Sequence, residues 1–259
     1  MSIQIAKLKN FASRQTVLGL VLAIIFTLTL EHSAIDVAIS QYFYSPTNGW
    51  LLDKQSLLPN LIFYTIPKRL LIAFEAYMAI AWLQRYLLQR RPSSHWLAKQ
   101  QAWFKPFSPL SLTEIGYLFI VMVLVPLIIA SLKGVTHVVC PNHLQIFGGE
   151  YPYLTILENI QAGTRSKCFP AAHASAGFAL YAWAFIPSLW HKRWQIAAMV
   201  TVIAWLMGGY KMLIGDHFFS HTLVSMSLAW GICAAVAWAW CRFYAKATSA
   251  KSSKRWFMV

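Results

Sequence analysis

The chain has 259 residues, of which 58% are hydrophobic and only 12% are charged. This composition excludes an ordinary soluble domain and is typical of a membrane protein. The formal net charge is +14, which in a soluble chain would suggest nucleic-acid binding; the positions of the basic residues, described below, favour membrane topology and anionic lipid headgroups instead.

Six apolar stretches come close to the roughly 20 residues that a helix needs to cross a bilayer. They lie near residues 15–31, 68–87, 113–132, 172–190, 194–214 and 220–243. The first is followed by "EHSAIDV" and not by a small-residue cleavage site, so we expect it to be kept as a span. The predicted fold is therefore an all-α polytopic membrane helix bundle that forms a single domain over residues 1–259.

Six spans would place both termini on the same side of the membrane, and the basic residues indicate which side that is. Fifteen of the 22 Lys and Arg residues fall at the N-terminus, in the loop at 84–112, in the turn at 192–193 and in the C-terminal tail. Only seven fall on the opposite side. Both termini are therefore predicted to be cytoplasmic, with the bilayer as a partner and no nucleic acid.

Two connections on the predicted outer side differ from the spans in composition. Residues 32–60 are interpreted as a surface connection with a helix within "AIDVAISQYFY". The loop at 133–171 carries Gly, Pro, two Cys and several charges, and it shows no obvious helix. A loop of this length is uncommon unless it is functional or disordered, and its aromatic residues argue against disorder.

Six of the eight histidines lie on the same predicted outer side: His32, His137, His143, His173, His217 and His221. Further charged residues lie there as well: Lys133, Arg165, Lys167, Lys211 and Asp216. Ionisable groups at the ends of membrane spans are costly and usually indicate a function.

Three polar segments follow one another at outer span ends: "KGVTHVVCP", "FPAAHASAGF" and "GYKMLIGDHFFSH". Their order and spacing resemble the three signatures of the type 2 phosphatidic acid phosphatase superfamily, the membrane lipid phosphate phosphatases. The resemblance covers a core of about residues 110–240. Lys133 and Pro141 match the first signature, Pro170 and His173 the second, and His217 the third.

Other signature positions differ from the family pattern. Cys140 stands in place of Arg, Ala171 and Ala172 replace Ser and Gly, Tyr210 replaces Ser, Lys211 replaces Arg, and His221 replaces Asp. A bacterial subgroup of the family is similar in its Cys-Pro pair, its Gly-Gly loop, its Cys-Phe-Pro and its final Ser-His-Thr. The chain is therefore interpreted as a divergent bacterial member.

The resemblance implies a phosphatase that works through a phosphohistidine, with His217 as nucleophile and His173 as general acid, and without a metal or other cofactor. His221 would orient His217, because the two residues are four positions apart. Lys133 and Lys211 would bind the phosphate, helped by the N–H groups at Ala171 and Ala172. Arg165 or Lys167 is expected to supply the charge that Cys140 does not.

The resemblance also implies a phosphorylated lipid as substrate and the periplasmic face of a bacterial inner membrane as location. Undecaprenyl diphosphate, lipid A, phosphatidylglycerol phosphate and phosphatidate are the candidate lipids. A Cys140–Cys168 disulfide is predicted, because both cysteines lie in signature loops on a side where disulfides can form.

Three alternatives stay open at this stage. A phosphotransferase of the same fold would pass the phosphoryl group to another lipid. A metal site would use His217 and His221 with His137, His143 or His173. A non-catalytic relative would bind phospholipids without cleaving them. The oligomeric state is not predicted.

Overall fold

The computed structural model describes residues 2–91 and 99–256 and consists almost entirely of helices, which confirms the predicted all-α class. The α-helices are α1 Ser2–Thr29, α2 Ala34–Gln41, α3 Leu57–Asn60, α4 Ile66–Arg90, α5 Leu112–Thr136, α6 Ile156–Ala162, α7 Ala172–Phe178, α8 Arg193–Leu213 and α9 Phe219–Trp256. A π-helical segment, Leu61–Thr65, joins α3 to α4, and a small hairpin pairs β1 Tyr44–Ser45 with β2 Gly49–Trp50. Short 3-10 helices are Gln100–Phe107, Pro141–His143, Gln145–Phe147, Ala179–Phe185 and Pro187–Lys192.

Within the described residues, five helices are long and apolar enough to cross a membrane: Ile3–Thr29, Leu57–Arg90, Leu112–His143, Pro187–Leu213 and Phe219–Phe243. They correspond to five of the six predicted stretches. The second extends further toward the N-terminus than predicted, because the π-helical segment joins α4 to α3, and α3 falls within the predicted surface connection at 32–60. The side on which each terminus lies stays a prediction.

The remaining stretch, predicted as a span at 172–190, forms a shorter and more central helix. It consists of α7 and the 3-10 segment Ala179–Phe185, and it ends where Ile186 takes an extended conformation before Pro187. Its length of about 25 Å falls short of the hydrocarbon thickness of about 30 Å. Phe178 and Phe185 are completely buried, and the segment packs against α5, α8 and α9. Its apolar sequence is therefore explained by burial within protein.

α1 packs along α9, although the two helices are far apart in the sequence. At their crossing, Gly19 faces Gly231 so closely that a Cβ atom on Gly19 would lie 2.6 Å from the backbone nitrogen of Gly231. Small residues at helix crossings let membrane helices approach until their backbones touch. This contact ties the N-terminal helix to the helix that follows the third signature.

The loop at 133–171 is ordered and contains a helix that the sequence analysis missed. Thr155 is the N-cap residue of α6. Its side chain accepts a hydrogen bond from the Glu158 N–H, and the Glu158 carboxylate accepts one from the Thr155 N–H. This reciprocal capping box was visible in the sequence as Thr-x-x-Glu. The prediction that the loop lacks a helix was wrong for this reason.

An aromatic cluster covers the end of the bundle at which the long loop lies. It packs Phe147 from the loop against Tyr44 and Trp50 of the hairpin and against Phe218, which directly follows His217. Val139 and Leu144 are buried in the same cluster. The cluster therefore connects the N-terminal hairpin, the long loop and the third signature.

Asp36 of α2, the helix predicted in "AIDVAISQYFY", is completely buried against the first turn of α9. Its carboxylate accepts a hydrogen bond from the Ser220 N–H over 2.9 Å and a second one from the Ser220 hydroxyl. A carboxylate in this place stabilises the N-terminus of a helix. Burial raises the pKa of Asp36 to about 6, against the lowering effect of the two hydrogen bonds.

Candidate active site

The three signature segments meet at one end of the bundle. Lys133 lies in the last turn of α5, His173 in the first turn of α7, and His217 in the turn between α8 and α9. The Ala171 N–H donates a hydrogen bond to the His221 carbonyl over 3.2 Å, which holds the second signature against the third. Residues that the chain separates are thus brought into one polar cluster.

His217 lies between the other two signature histidines. Its ring centre is 6.3 Å from that of His173, and its Nδ1 atom is 3.5 Å from Nδ1 of His221. One of these two Nδ1 atoms can donate and the other accept, which leaves Nε2 of His217 free. His221 is itself fixed edge-on between the rings of Phe169 and Phe218.

Burial lowers the pKa of His217 well below its usual value, and the charges of His221 and Lys133 act in the same direction. The imidazole is therefore neutral near neutral pH, and a neutral ring carries the lone pair that a nucleophile needs. His217 is 2% exposed, so its ring is almost completely shielded from solvent.

Lys211 is 7% exposed and forms an ion pair with Asp216, in which Nζ lies 2.8 Å from Oδ2. The other carboxylate oxygen of Asp216 accepts hydrogen bonds from Lys54 at 2.9 Å and from the Asn142 amide at 3.2 Å. Burial raises the pKa of Asp216, but the hydrogen bonds and charges of Lys211 and Lys54 outweigh this effect and hold it below its usual range. Asp216 can reach these partners because it lies in the non-helical turn between α8 and α9.

The other predicted phosphate-binding residues lie at different distances from the cluster. Lys133 is half-buried, and its charge acts on all three signature histidines. Lys167 is exposed but close enough for its charge to act on Lys133. Arg165 is exposed, and none of the described contacts joins it to the cluster. The N–H of Ala171 is engaged with His221, whereas Ala172 lines the cavity beside His173.

Cys140 and Cys168 are joined by a disulfide that closes the long loop across a separation of 28 residues. The Cys168 N–H also donates to the Val138 carbonyl over 3.0 Å. Cys140 thus links the first signature to the second covalently at the position where the family pattern has arginine.

Tyr64 of the π-helical segment contacts the site and was not identified from the sequence. Its hydroxyl lies 3.2 Å from Nε2 of His173, and the Lys211 ammonium lies 4.5 Å from its ring centre. Lys54 and Asn142 were missed as well. No local pattern in the sequence marks these residues, because each reaches the site through tertiary packing. For Tyr64, the π-helical turn is a hint, since such turns are frequent at functional sites, but the turn is visible only in a structure.

A cavity of about 220 Å³ begins at His173 and Tyr64 and continues between α4, α5, α7 and α8. Its polar end includes Lys68, and its walls further in are mainly apolar: Leu71, Ile72, Met122, Pro126, Ala176 and Met207. Glu75 is the one further charged residue among those that line it. The cavity therefore connects His173 with apolar surfaces of the surrounding helices.

Among the residues that the structure describes, no three His, Cys, Asp or Glu side chains converge as metal ligands do. His137 instead contacts the Thr164 carbonyl through Nδ1 over 2.6 Å, and His143 is exposed.

A family model described as the PAP2 superfamily matches residues 114–246. The matched region begins in α5 and includes all three signature segments and most of α9. No curated protein and no solved structure matches the chain.

Proposed function

The chain belongs to the PAP2 superfamily, and from this premise we propose that it is a lipid phosphate phosphatase that works through a phosphohistidine at the periplasmic face of a bacterial inner membrane. Membership in the family implies phosphatase-type activity on phosphate esters. The observation that carries the finer proposal is the arrangement of His173, His217 and His221 beside Lys133 and Lys211.

In the first step, Nε2 of His217 attacks the phosphorus atom, and the bond between phosphorus and the leaving oxygen breaks. Burial and the charges of the neighbouring lysines lower the pKa of His173 to about 4, and a bound anionic phosphate offsets the lysines, so that His173 takes up a proton with the substrate in place. The protonated His173 then donates this proton to the leaving oxygen, which leaves with the lipid. The distance of 6.3 Å between the two ring centres gives room for a phosphoryl group between them. In the second step, water attacks the phosphohistidine, His173 accepts its proton, and inorganic phosphate and free His217 result.

His221 serves as a positioning residue in this mechanism. Its contact with Nδ1 of His217 fixes the ring that carries the nucleophilic atom, as a carboxylate does in other histidine-based sites. A neutral imidazole can accept the Nδ1–H of His217, so His221 can replace the Asp of the family signature in orienting the ring.

Lys211 and Lys133 would stabilise the charge on the transferring phosphoryl oxygens. Lys211 is held by Asp216 before substrate binds, so it is already in place and reorganises little. The cavity that continues from His173 into apolar surroundings supports a substrate with a hydrocarbon chain rather than a soluble phosphate ester.

The test is phosphate release by the protein in detergent, measured with lipid monophosphates, lipid diphosphates and a soluble aryl phosphate, with and without EDTA. We expect EDTA-resistant release from lipids, its loss in His217→Ala, and near-normal release in the matched control His143→Ala, since His143 is exposed and outside the cluster. EDTA-sensitive release would favour a metal site. Transfer to a second lipid, or lipid binding without release, would contradict the hydrolase.

A further inference from the structure

Tyr64 and Lys68 form a small polar group on the long helix Leu57–Arg90, outside the matched family region. Tyr64 lies in the π-helical segment, and Lys68 follows one turn later in α4. A π-helical turn adds a residue to the turn and changes which side chains share a face, and such turns are frequent at functional sites. Here it brings both side chains toward His173.

The Tyr64 ring lies next to two ammonium groups. The Lys68 ammonium is 5.6 Å from the ring centre, and that of Lys211 is 4.5 Å from it. The two cations are therefore separated by no more than the sum of these distances, which is a span that two linked phosphates can bridge. The Tyr64 hydroxyl lies 3.2 Å from Nε2 of His173, so the ring that both ammonium groups approach also contacts the general acid.

Lys68 stands on the side of the site where the leaving group departs. It lines the same cavity as His173, the residue that gives its proton to the leaving oxygen, and its charge acts on His173. Among the described residues, no carboxylate lies within ion-pair distance of Lys68. Glu75, on the same cavity wall, is two helical turns further along α4.

We propose that Lys68, placed beside Tyr64, binds a second phosphate, and that the preferred substrate is therefore a lipid diphosphate; this rests on the proposed function. With a monophosphate, the leaving group is an alcohol, which offers the Lys68 ammonium no anionic oxygen to bind. With a diphosphate, the leaving group is a lipid monophosphate, whose anionic oxygens would pair with Lys68.

The step balances as follows for this substrate. Nε2 of His217 bonds to the terminal phosphorus, and the bond from that phosphorus to the bridging oxygen breaks. The electron pair of that bond stays on the bridging oxygen, which receives a proton from His173 and becomes part of the lipid monophosphate. Lys211 contacts the terminal phosphoryl group and Lys68 the departing phosphate.

The experiment compares farnesyl diphosphate with farnesyl phosphate, which share one chain, in the full-length protein in detergent. We expect Lys68→Gln to lower kcat/KM for the diphosphate by about tenfold or more, the loss of a charge-assisted contact, and to lower it for the monophosphate by less than about threefold. Lys68→Arg should keep the preference for the diphosphate, since it keeps the charge.

Arg69→Gln is the matched control, because it removes a neighbouring cation of the same exposed helix that does not line the cavity; it should leave both substrates unaffected. If Lys68→Gln lowers kcat/KM equally for both substrates, or for neither, the second phosphate site is overturned while the proposed phosphatase activity stands. A wild-type preference for the monophosphate would have the same meaning. Silence of the wild type toward both substrates would instead reject the phosphatase and this inference together.

Discussion

The ion pair between Asp216 and Lys211 gives the sharpest stability prediction, tested by the substitution Asp216→Asn. The two side chains are only 13% and 8% exposed, so removing the carboxylate charge leaves a cation nearly buried without compensation. Breaking such a pair costs about 3 to 5 kcal/mol. At about 2 to 4 °C per kcal/mol for a chain of this size, Tm should fall by roughly 6 °C or more.

The matched control for this prediction is Lys54→Gln, which removes the second cation from the same carboxylate. The Lys54 side chain is 58% exposed, and an exposed ion pair contributes about 1 kcal/mol or less. Its Tm should therefore change by no more than about 4 °C. Both values can be measured by tryptophan fluorescence during heating in detergent, since the chain has 12 Trp residues.

The pH dependence of the stability that Asp216 contributes can also be tested. Because the pKa of Asp216 is lower in the folded protein than in the unfolded chain, its stabilising effect is fully present above the unfolded value of about 3.9 and is lost as pH falls through the lower folded value. The Tm difference between wild type and Asp216→Asn should thus be constant from pH 6 to pH 8. Equal Tm losses in Asp216→Asn and Lys54→Gln would refute the reasoning. So would a Tm difference between wild type and Asp216→Asn that disappears between pH 6 and pH 8.

Two further predictions concern helix packing and the disulfide. In Gly208→Ala, the new methyl group would lie 2.5 Å from the Thr222 side chain and press α9 away from α8 beside His221. This overpacking costs about 1 to 3 kcal/mol, so Tm should fall by several degrees, and kcat should fall as well. The control Gly209→Ala, whose methyl group meets nothing within 4 Å, should lower neither quantity, and equal behaviour of the two variants would contradict this packing. The double variant Cys140→Ser/Cys168→Ser should lose about 3 kcal/mol of unfolding free energy, because the disulfide closes a loop of 28 residues. Reductant should lower the Tm of the wild type toward that of the variant and leave the Tm of the variant unchanged. A reductant effect on both proteins would argue against stabilisation by this disulfide.

Hydropathy predicted the helices but not their arrangement. Five of six stretches are long helices, whereas 172–190 shows why apolar length alone is ambiguous: a segment surrounded by protein is as apolar as one surrounded by lipid. The capping box at Thr155 was readable and was overlooked. The π-helical segment could not be read, because no local pattern announces it.

The spacing of the signatures indicated which residues would meet, and Lys133, His173, Lys211, His217 and His221 do lie in one cluster. Their partners could not be predicted in the same way. Asp216 lies in a turn and holds Lys211, a contact that its place next to His217 in the sequence did not indicate. Lys54 and Tyr64 reach the site from the N-terminal part of the chain, across sequence distances that no periodicity describes.

The contact of Asp36 with Ser220 has a consequence for the timing of synthesis. The two residues are 184 positions apart, and one of them lies immediately before His221. During translation, α1 and α2 leave the ribosome first, and the Asp36 carboxylate has no Ser220 to pair with until α9 has been made and inserted. A chain whose insertion stops before α9 therefore carries His217 but lacks His221, which positions it, and Ser220, which pairs with Asp36. The protein thus completes its site only in the last stage of its biogenesis.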